Sequence, residues 1–226
     1  MKGWLNTVLC LGCAAAIVLF AREVQGAPLV FLDPAHGGGE KGVKLQENIF
    51  EKDITLAVAQ KIRQKLADSG KVRIELTRTS DQAVPVSERV KKAESARADL
   101  FISLHVNAGF GRNARGFEVY FPGFRGSSSK GDGSSEIVRD MVRTQYLNES
   151  IKFGRILLKE METVYPRRDR GLREAPIRIL RDLTIPAVLL EMGFATESRD
   201  RKELLEPVRQ KAVAEAIAKS ILEYLR

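Results

Sequence analysis

The chain has 226 residues, of which 44% are apolar and 29% are charged. This length and composition suit one soluble domain with a full hydrophobic core, and they exclude a disordered or repeat-built chain. The net charge of +8 and the pI of about 9.6 suit an anionic partner, such as nucleic acid, anionic lipid or an acidic cell-wall polymer. Solubility alone explains such a charge equally well.

The N-terminal segment differs from the rest of the chain. Lys2 gives it a positive start, Trp4 to Ala21 is almost wholly apolar, and small residues follow where a signal peptidase would cut. We expect residues 1–26 to be a secretory signal peptide and residues 27–226 to be the mature domain, exported to the periplasm or cell wall. The alternatives are cleavage after Ala21 and an uncleaved membrane anchor.

Both cysteines of the chain, Cys10 and Cys13, fall within this segment. The mature chain would therefore have no disulfide, no thiolate nucleophile and no thiolate metal ligand. Its stability would depend on its hydrophobic core.

Apolar periodicity divides the remaining chain into alternating strands and helices. It predicts strands over residues 29–32, 72–77, 100–104, 116–121, 177–180 and 187–190. It predicts helices over residues 51–70, from a Ser87 cap to about Arg97, over 135–164 in two pieces broken near Asn148, and over 208–225. A Gly/Ser-rich loop covers 122–135. This order predicts a single α/β domain with a mostly parallel or mixed central sheet and helices on both faces.

The two histidines of the chain occupy similar places. His36 follows the strand over 29–32 and the turn Asp33-Pro34, and three glycines come after it. His105 ends the apolar run that starts at Leu100. Because sites in α/β sheets gather outside strand ends, we expect both imidazoles to belong to one site.

A catalytic zinc site needs three protein ligands and one open position for water. The histidines supply two ligands, and a carboxylate near the same strand ends would supply the third. Glu51, at the start of the first helix, is the preferred candidate. Glu47 is the competitor, and Glu40 lies too close to His36 in the glycine loop to be preferred.

A base that is not a metal ligand is also needed, and Glu191 fits this role. It ends the apolar strand over 187–190, where partial burial would raise its pKa and help proton transfer near neutral pH. Each of these residues also has a purely structural interpretation. A strand-end histidine is usually structural, Glu51 could only stabilise its helix, and Glu191 could only accept backbone hydrogen bonds. Their joint placement favours a site.

Six ordered segments of the sequence resemble the zinc-dependent N-acetylmuramoyl-L-alanine amidases of the type 3 group, which remodel bacterial peptidoglycan. Together they span nearly all of residues 28–226. The segments are Asp33-Pro-Ala-His-Gly-Gly, Glu51-Lys-Asp-Ile-Thr-Leu-Ala, Ala98-Asp-Leu-Phe-Ile-Ser-Leu-His-Val-Asn-Ala108, Gly116-Phe-Glu-Val-Tyr-Phe, Asp169-Arg-Gly-Leu and Pro186-Ala-Val-Leu-Leu-Glu-Met-Gly-Phe194.

The resemblance implies a fold similar to that of zinc exopeptidases and one Zn²⁺ held by His36, Glu51 and His105. It implies that Glu191 takes a proton from the attacking water and passes it to the leaving amine. The bond cleaved would join N-acetylmuramic acid to the L-alanine of the stem peptide. Two departures stand out: Ala35 replaces the family's usual glycine, and Ala195-Thr-Glu replaces an asparagine turn.

The expected partner is peptidoglycan, and an activator protein is a further possibility. Some relatives cover their zinc with a long helix, and the region from Gly109 to Glu149 leaves this regulation open here. We expect a monomer that binds no nucleic acid and meets a membrane only through its signal peptide. The rival interpretations are a zinc peptidase acting on ordinary peptides, a non-catalytic wall-binding module and, least favoured, a nucleic-acid binder.

Overall fold

The computed structural model describes residues 26–67, 69–111, 114–123 and 133–226. Within them lie eight strands: β1 (Leu29–Pro34), β2 (Lys44–Gln46), β3 (Ile49–Phe50), β4 (Arg73–Leu76), β5 (Leu100–Asn107), β6 (Phe117–Pro122), β7 (Asp169–Ala175) and β8 (Ala187–Phe194). The same residues form six helices: α1 (Glu51–Ala67), α2 (Val86–Ser95), α3 (Gly133–Val164), α4 (Arg178–Arg181), α5 (Ser198–Leu205) and α6 (Pro207–Tyr224).

Six of the strands form one mixed sheet in the order β4-β1-β5-β8-β6-β7. Strands β4, β1, β5 and β8 run parallel, β6 runs antiparallel to β8, and β7 is parallel to β6. β2 and β3 form a separate hairpin. This architecture confirms the predicted α/β domain with a mixed central sheet.

Helices cover both faces of this sheet, but to different extents. The larger core cluster contains buried side chains of α1, α3 and α6, such as Ile62, Phe153 and Ile217, packed on one face. The smaller cluster contains Ala93 of α2 and Ile179 of α4 on the other face. The face of the sheet that carries the smaller cluster is therefore covered only by the short helices α2 and α4, which leaves room for a site.

Strand alternation directs the polar side chains of the site toward that less covered face. In β5, Ile102 joins the larger cluster, whereas its neighbour Phe101 joins the smaller one. His105 has the same parity as Phe101, and Glu191 of β8 has the same parity as Leu189, another member of the smaller cluster. Successive side chains in a strand point to opposite faces, so His105 and Glu191 share a face.

The predicted break near Asn148 is wrong, because α3 is a continuous helix. Leu147, Ser150 and Phe153 are buried, and this packing outweighs the weak helix preference of the Asn-Glu-Ser sequence. The Ser150 hydroxyl donates to the Tyr146 carbonyl at 2.7 Å and accepts from the Ala187 amide at 2.9 Å. The hydroxyl thus joins the helix to the start of β8.

The predicted strand over 177–180 is also wrong, because these residues form the turn of α4. The amides of Leu180 and Arg181 both donate to the Ile177 carbonyl. Ile179 and Leu180 are consecutive and both buried, which strand alternation would not allow. In α2, Pro85 rather than Ser87 is the N-cap, and no side chain caps the helix.

The sequence analysis missed β7, α5 and the hairpin of β2 and β3. Residues 1–25 and 124–132 lie outside the described residues, so the signal peptide and most of the Gly/Ser-rich loop are untested. Among the described residues, no helix has the length and apolar character needed to cross a bilayer.

Candidate metal centre

The candidate site residues meet at the end of the sheet where the central strands β1, β5 and β8 finish. β1, β5 and β8 run parallel, and His36 lies two residues beyond the end of β1. His105 of β5 pairs in register with Glu191 of β8, and Glu191 pairs in turn with Glu118 of β6. Carboxyl ends of parallel strands are the usual location of sites in such sheets. The topology therefore brings both histidines to the same end of the sheet.

His36, Glu51 and His105 form a compact cluster. One potential ligand atom from each lies within 4.8 Å of the others. His36 Nε2 is 3.1 Å from Glu51 Oε2, and His105 Nδ1 is 2.9 Å from Glu51 Oε1. Two imidazoles and one carboxylate are a donor set typical of catalytic zinc, with one position left for water. The cluster therefore fits a metal ion of this kind.

The carboxylate in the cluster belongs to Glu51 and not to Glu47, the other candidate from the sequence. Glu51 is 2% exposed at the start of α1, where its amide donates to the Val43 carbonyl. Its Oε1 accepts from the Val106 amide at 3.1 Å and its Oε2 from the Val43 amide at 3.1 Å. Glu47 is exposed in the turn of the β2–β3 hairpin. The backbone bonds thus fix the Glu51 carboxylate between the two imidazoles.

Electrostatics keep this carboxylate ionised. Burial disfavours the charged form of Glu51, but the hydrogen bonds with His105 and His36 outweigh burial and lower its pKa to about 2. Burial also disfavours the charged form of His36, and here the contacts with Glu51 and Glu40 prevail and raise the pKa. An ionised carboxylate is the form that binds a metal ion.

Glu40, which the sequence analysis did not prefer as a ligand, lies behind His36. Its Oε1 is 2.9 Å from His36 Nδ1, whereas Glu51 contacts the other ring nitrogen, Nε2. Carboxylates in this position orient the imidazole and fix its tautomer, so that the other nitrogen is available to a metal. Glu40 therefore fits an orienting role, although its side chain is largely exposed.

The backbone at His36 has an unusual conformation, with a φ of 62°. Positive φ is uncommon outside glycine and needs support from its surroundings. Ala35 has no positive φ, so its replacement of the family's usual glycine does not strain the loop. Gly42 passes close to the cluster, and a Cβ there would lie 2.5 Å from Glu51 Oε2.

Two buried arginines hold this loop through hydrogen bonds to its backbone carbonyls. Arg78 donates from Nε to the Pro34 carbonyl at 2.9 Å and from Nη2 to the Ala35 carbonyl at 2.9 Å. Arg89 donates from Nη1 to the Pro34 carbonyl at 2.9 Å and from Nη2 to the His36 carbonyl at 2.7 Å. Three consecutive carbonyls are thereby fixed next to the cluster.

Glu191 sits beside the cluster without joining it. Its Oε2 is buried and has no hydrogen-bond partner among the described residues. Burial raises its pKa to about 7; the electrostatic influence of His105 opposes this, while the negative charges of Glu51 and Glu118 add to it. A carboxyl group with such a pKa can accept and return a proton near neutral pH.

Glu118 was not identified as a site residue from the sequence. It is 2% exposed, and its Oε1 accepts from Asn107 Nδ2 at 2.9 Å and from the Tyr120 hydroxyl at 2.8 Å. Its Oε2 accepts from Arg170 Nε at 3.0 Å. The available signal was the alternation in Phe117-Glu-Val-Tyr-Phe, which places Glu118 and Tyr120 on one face.

Comparison of the sequence with known proteins finds a matching family model and similar proteins from bacteria. The family model described as N-acetylmuramoyl-L-alanine amidase matches residues 30–223. An uncharacterized protein of Bacillus subtilis, YqiI, is 33% identical, with 98% of this chain and 97% of YqiI covered. The amidase AmiA of Escherichia coli K12 is 28% identical, with 90% of this chain and 78% of AmiA covered.

Solved structures agree with these sequence matches. An N-acetylmuramoyl-L-alanine amidase from Clostridium difficile 630 superposes with a TM-score of 0.73 at 28% identity, covering 89% of this chain and 98% of that one. The catalytic domain of CwlV, an amidase from Paenibacillus polymyxa, gives a TM-score of 0.71 at 28% identity, covering 88% of this chain and 98% of that one.

Proposed function

The chain belongs to the N-acetylmuramoyl-L-alanine amidase family, and we propose that it hydrolyses the amide between N-acetylmuramic acid and the L-alanine of the stem peptide in peptidoglycan. The observation that carries this function is the cluster of His36, Glu51 and His105 beside Glu191. These residues come from four separate segments of the chain. The amidases AmiA and CwlV, named above, are similar to this chain over most of its length.

One Zn²⁺ would be held by His36, Glu51 and His105. The donor set fits this ion, and the low pKa of Glu51 supports a charged ligand at neutral pH. When bound, zinc would supply Lewis-acid polarisation of the scissile carbonyl and lower the pKa of a water. The Glu40 carboxylate would keep the His36 ring oriented through its contact with Nδ1.

Glu191 would serve as the catalytic acid–base group. Its buried Oε2 would accept a proton from the attacking water, and the same oxygen would then return that proton to the leaving amine. A pKa of about 7 makes both transfers favourable near neutral pH. Its register position opposite His105 supports this role, because it places the carboxylate next to the cluster.

We also propose where and how the enzyme works. Residues 1–26 would direct export and residues 27–226 would form the catalytic domain, which would act as a monomer in the periplasm or cell wall. An activator protein would be a further partner. The exposed apolar side chains of α3 support this: Ile137, Val138, Met141 and Val142. Full hydrolysis of sacculi by the zinc-loaded protein alone would contradict the need for an activator.

Paired variants test the assigned roles. Glu51→Gln should lose zinc and activity, whereas Glu47→Gln, four residues earlier and exposed, should keep both. Glu191→Gln should retain zinc at one ion per chain and lose hydrolysis by at least about a hundredfold. Zinc content by atomic emission and muropeptide release from sacculi are the two measurements. An active Glu191→Gln protein would overturn the proposed role of Glu191.

A further inference from the structure

The Glu118 carboxylate lies at the centre of a network that extends away from the metal centre toward β7. Besides Asn107, Tyr120 and Arg170, the guanidinium of Arg173 approaches it, with Nε 3.5 Å from Glu118 Oε2. Two guanidinium groups thus share one buried carboxylate. The network therefore places two cationic side chains on the site face of the sheet.

A β-bulge explains why both arginines reach the same carboxylate. Residues three apart in a regular strand point to opposite faces. Between the register pairs Phe117↔Asp169 and Val119↔Leu172, however, β7 contains one residue more than β6. Gly171 lies in this bulge with a φ of 93°. Bulges next to active sites commonly redirect side chains, and this one turns Arg170 and Arg173 toward Glu118.

The two arginines differ in how they are held. Arg170 is the more buried, with 27% of its side chain exposed, and its guanidinium lies 5.0 Å from the ring centroid of Phe194. Arg173 has 49% of its side chain exposed. Its Nη2 and Nε donate to the Arg170 carbonyl at 3.3 Å. Arg173 is therefore fixed at one edge of its guanidinium while the rest of the group faces solvent.

The network lies within reach of a peptide bound at the metal centre. β6 separates β7 from β8, and Arg173 pairs with Tyr120, which pairs with Leu189 rather than with Glu191, so the backbones of Arg173 and Glu191 lie roughly 12 Å apart. The Arg173 side chain shortens this distance, because its Nε lies 3.5 Å from the carboxylate of Glu118, the register partner of Glu191. Tyr120 lies between them, and the charges of both Glu191 and Arg173 influence its pKa. Two or three residues of extended peptide span roughly 7 to 10 Å, which is enough to reach this guanidinium from the metal centre.

We propose that Arg173, supported by Arg170 and Glu118, binds a free carboxylate of the stem peptide one or two residues beyond the scissile amide. This inference rests on the proposed function. An arginine fork suits a carboxylate because it can donate two parallel hydrogen bonds. The site would favour stem peptides with an acidic second residue over those in which that carboxylate is amidated.

Binding of product peptides tests the proposal without requiring turnover. The zinc-loaded protein is titrated calorimetrically with L-alanyl-D-glutamate and with L-alanyl-D-isoglutamine. The two peptides differ only at the α-carboxyl group of the second residue, which is free in the first and amidated in the second. We expect the acid to bind at least about tenfold more tightly, as is typical of a charge-assisted hydrogen bond. Arg173→Gln should remove most of this preference, and Arg173→Lys should retain part of it.

Arg63→Gln is the matched control, because it removes the same charge from an exposed position on α1, which packs on the opposite face of the sheet. It should leave the preference unchanged. Equal affinity of the wild-type protein for both peptides, or a preference that survives Arg173→Gln, would overturn the proposal. Melting temperatures of the variants show that each is folded.

Hydrolysis of the corresponding muramyl dipeptides separates this proposal from the proposed function. If both are cleaved at equal kcat/KM and neither product is preferred, the carboxylate site is wrong while the amidase assignment stands. If neither is cleaved but the binding preference depends on Arg173, the carboxylate site is supported and the amidase assignment fails. In the expected case, Arg173→Gln raises KM for the acid more than it lowers kcat.

Discussion

Arg89 donates a hydrogen bond from Nη2 to the backbone carbonyl of His36 at 2.7 Å. The arginine is 2% exposed and also forms a 2.9 Å ion pair with buried Asp33. Through this bond, α2 supports a backbone segment in which His36 has a positive φ. The position of one metal-ligand candidate therefore depends on a residue that is 53 positions away in sequence and belongs to a different element of the fold.

Arg89→Lys tests this support. An ammonium cannot reproduce the fork that serves Val84, Pro34 and His36 at once, so the loop should loosen. We expect zinc affinity to fall about tenfold to a hundredfold, as for other residues that orient ligands. Competition with a chromogenic chelator measures this affinity. Arg63→Lys on the exposed side of α1 is the control, and equal zinc affinity of both variants would contradict the role of Arg89.

Gly42→Ala should damage the metal centre directly. The added Cβ would lie 2.5 Å from Glu51 Oε2 and 2.7 Å from His36 Cδ2, and the φ of 67° disfavours any side chain. We expect loss of most zinc binding, measured as zinc per chain after dialysis. Gly39→Ala is the matched control in the same loop, because a Cβ there would meet nothing within 4 Å. Normal zinc content in Gly42→Ala would be evidence against the assigned centre.

Glu191→Gln should change the pH dependence of stability in the metal-free protein. Burial raises the pKa of Glu191 from 4.5 to about 7, so its ionisation destabilises the fold as pH rises through this interval. Above pH 7 the full penalty is present, about 3 kcal/mol, and below pH 4.5 it is absent. We therefore expect the glutamine variant to be more stable than wild type at about pH 8 and equal to it near pH 4.5. Urea unfolding at both pH values measures the difference, and equal stability at the higher pH would show that the carboxyl is not buried.

Ser150→Ala should destabilise the fold without touching the site. The change leaves the buried amide of Ala187 without its 2.9 Å partner, at a cost of about 1–3 kcal/mol in the free energy of unfolding. Thr144→Ala removes a similar hydroxyl from an exposed turn of the same helix and should cost less than about 0.5 kcal/mol. Thermal denaturation distinguishes the two. A neutral Ser150→Ala would indicate that the hydroxyl does not join α3 to β8.

Sequence periodicity predicted the parts of the fold that bury a regular apolar face. β1, α1, β5, β8 and α6 all have such faces, and the strands lie in the parallel part of the sheet. The prediction failed where the apolar pattern was ambiguous or absent. Ile177 to Leu180 is apolar enough for a strand, yet the local hydrogen bonds to the Ile177 carbonyl form a helical turn. β7 is polar along its length and has a bulge, so alternation could not reveal it.

The same contrast holds for the candidate site. His36, His105, Glu51 and Glu191 were identifiable because each follows or begins an element with a clear pattern. Arg78, Arg89 and Glu118 were not, because their roles depend on contacts between distant segments. Glu40 was considered only as a metal ligand, and its contact with His36 Nδ1 depends on the conformation of the glycine loop. Glu118 meets Asn107 and Arg170, which are 11 and 52 positions away. No local pattern in the sequence encodes such a meeting.

The most direct test of the central claim is product analysis by mass spectrometry after residues 27–226 act on purified sacculi in H₂¹⁸O. The assay is run with native protein, after removal of metal by a chelator, and after zinc is restored. We predict stem peptides with a free L-alanine amine and ¹⁸O in the lactyl carboxylate of the glycan, lost on chelation and recovered with zinc. Cleavage within the peptides, or ¹⁸O in peptide carboxylates instead, would contradict the amidase assignment.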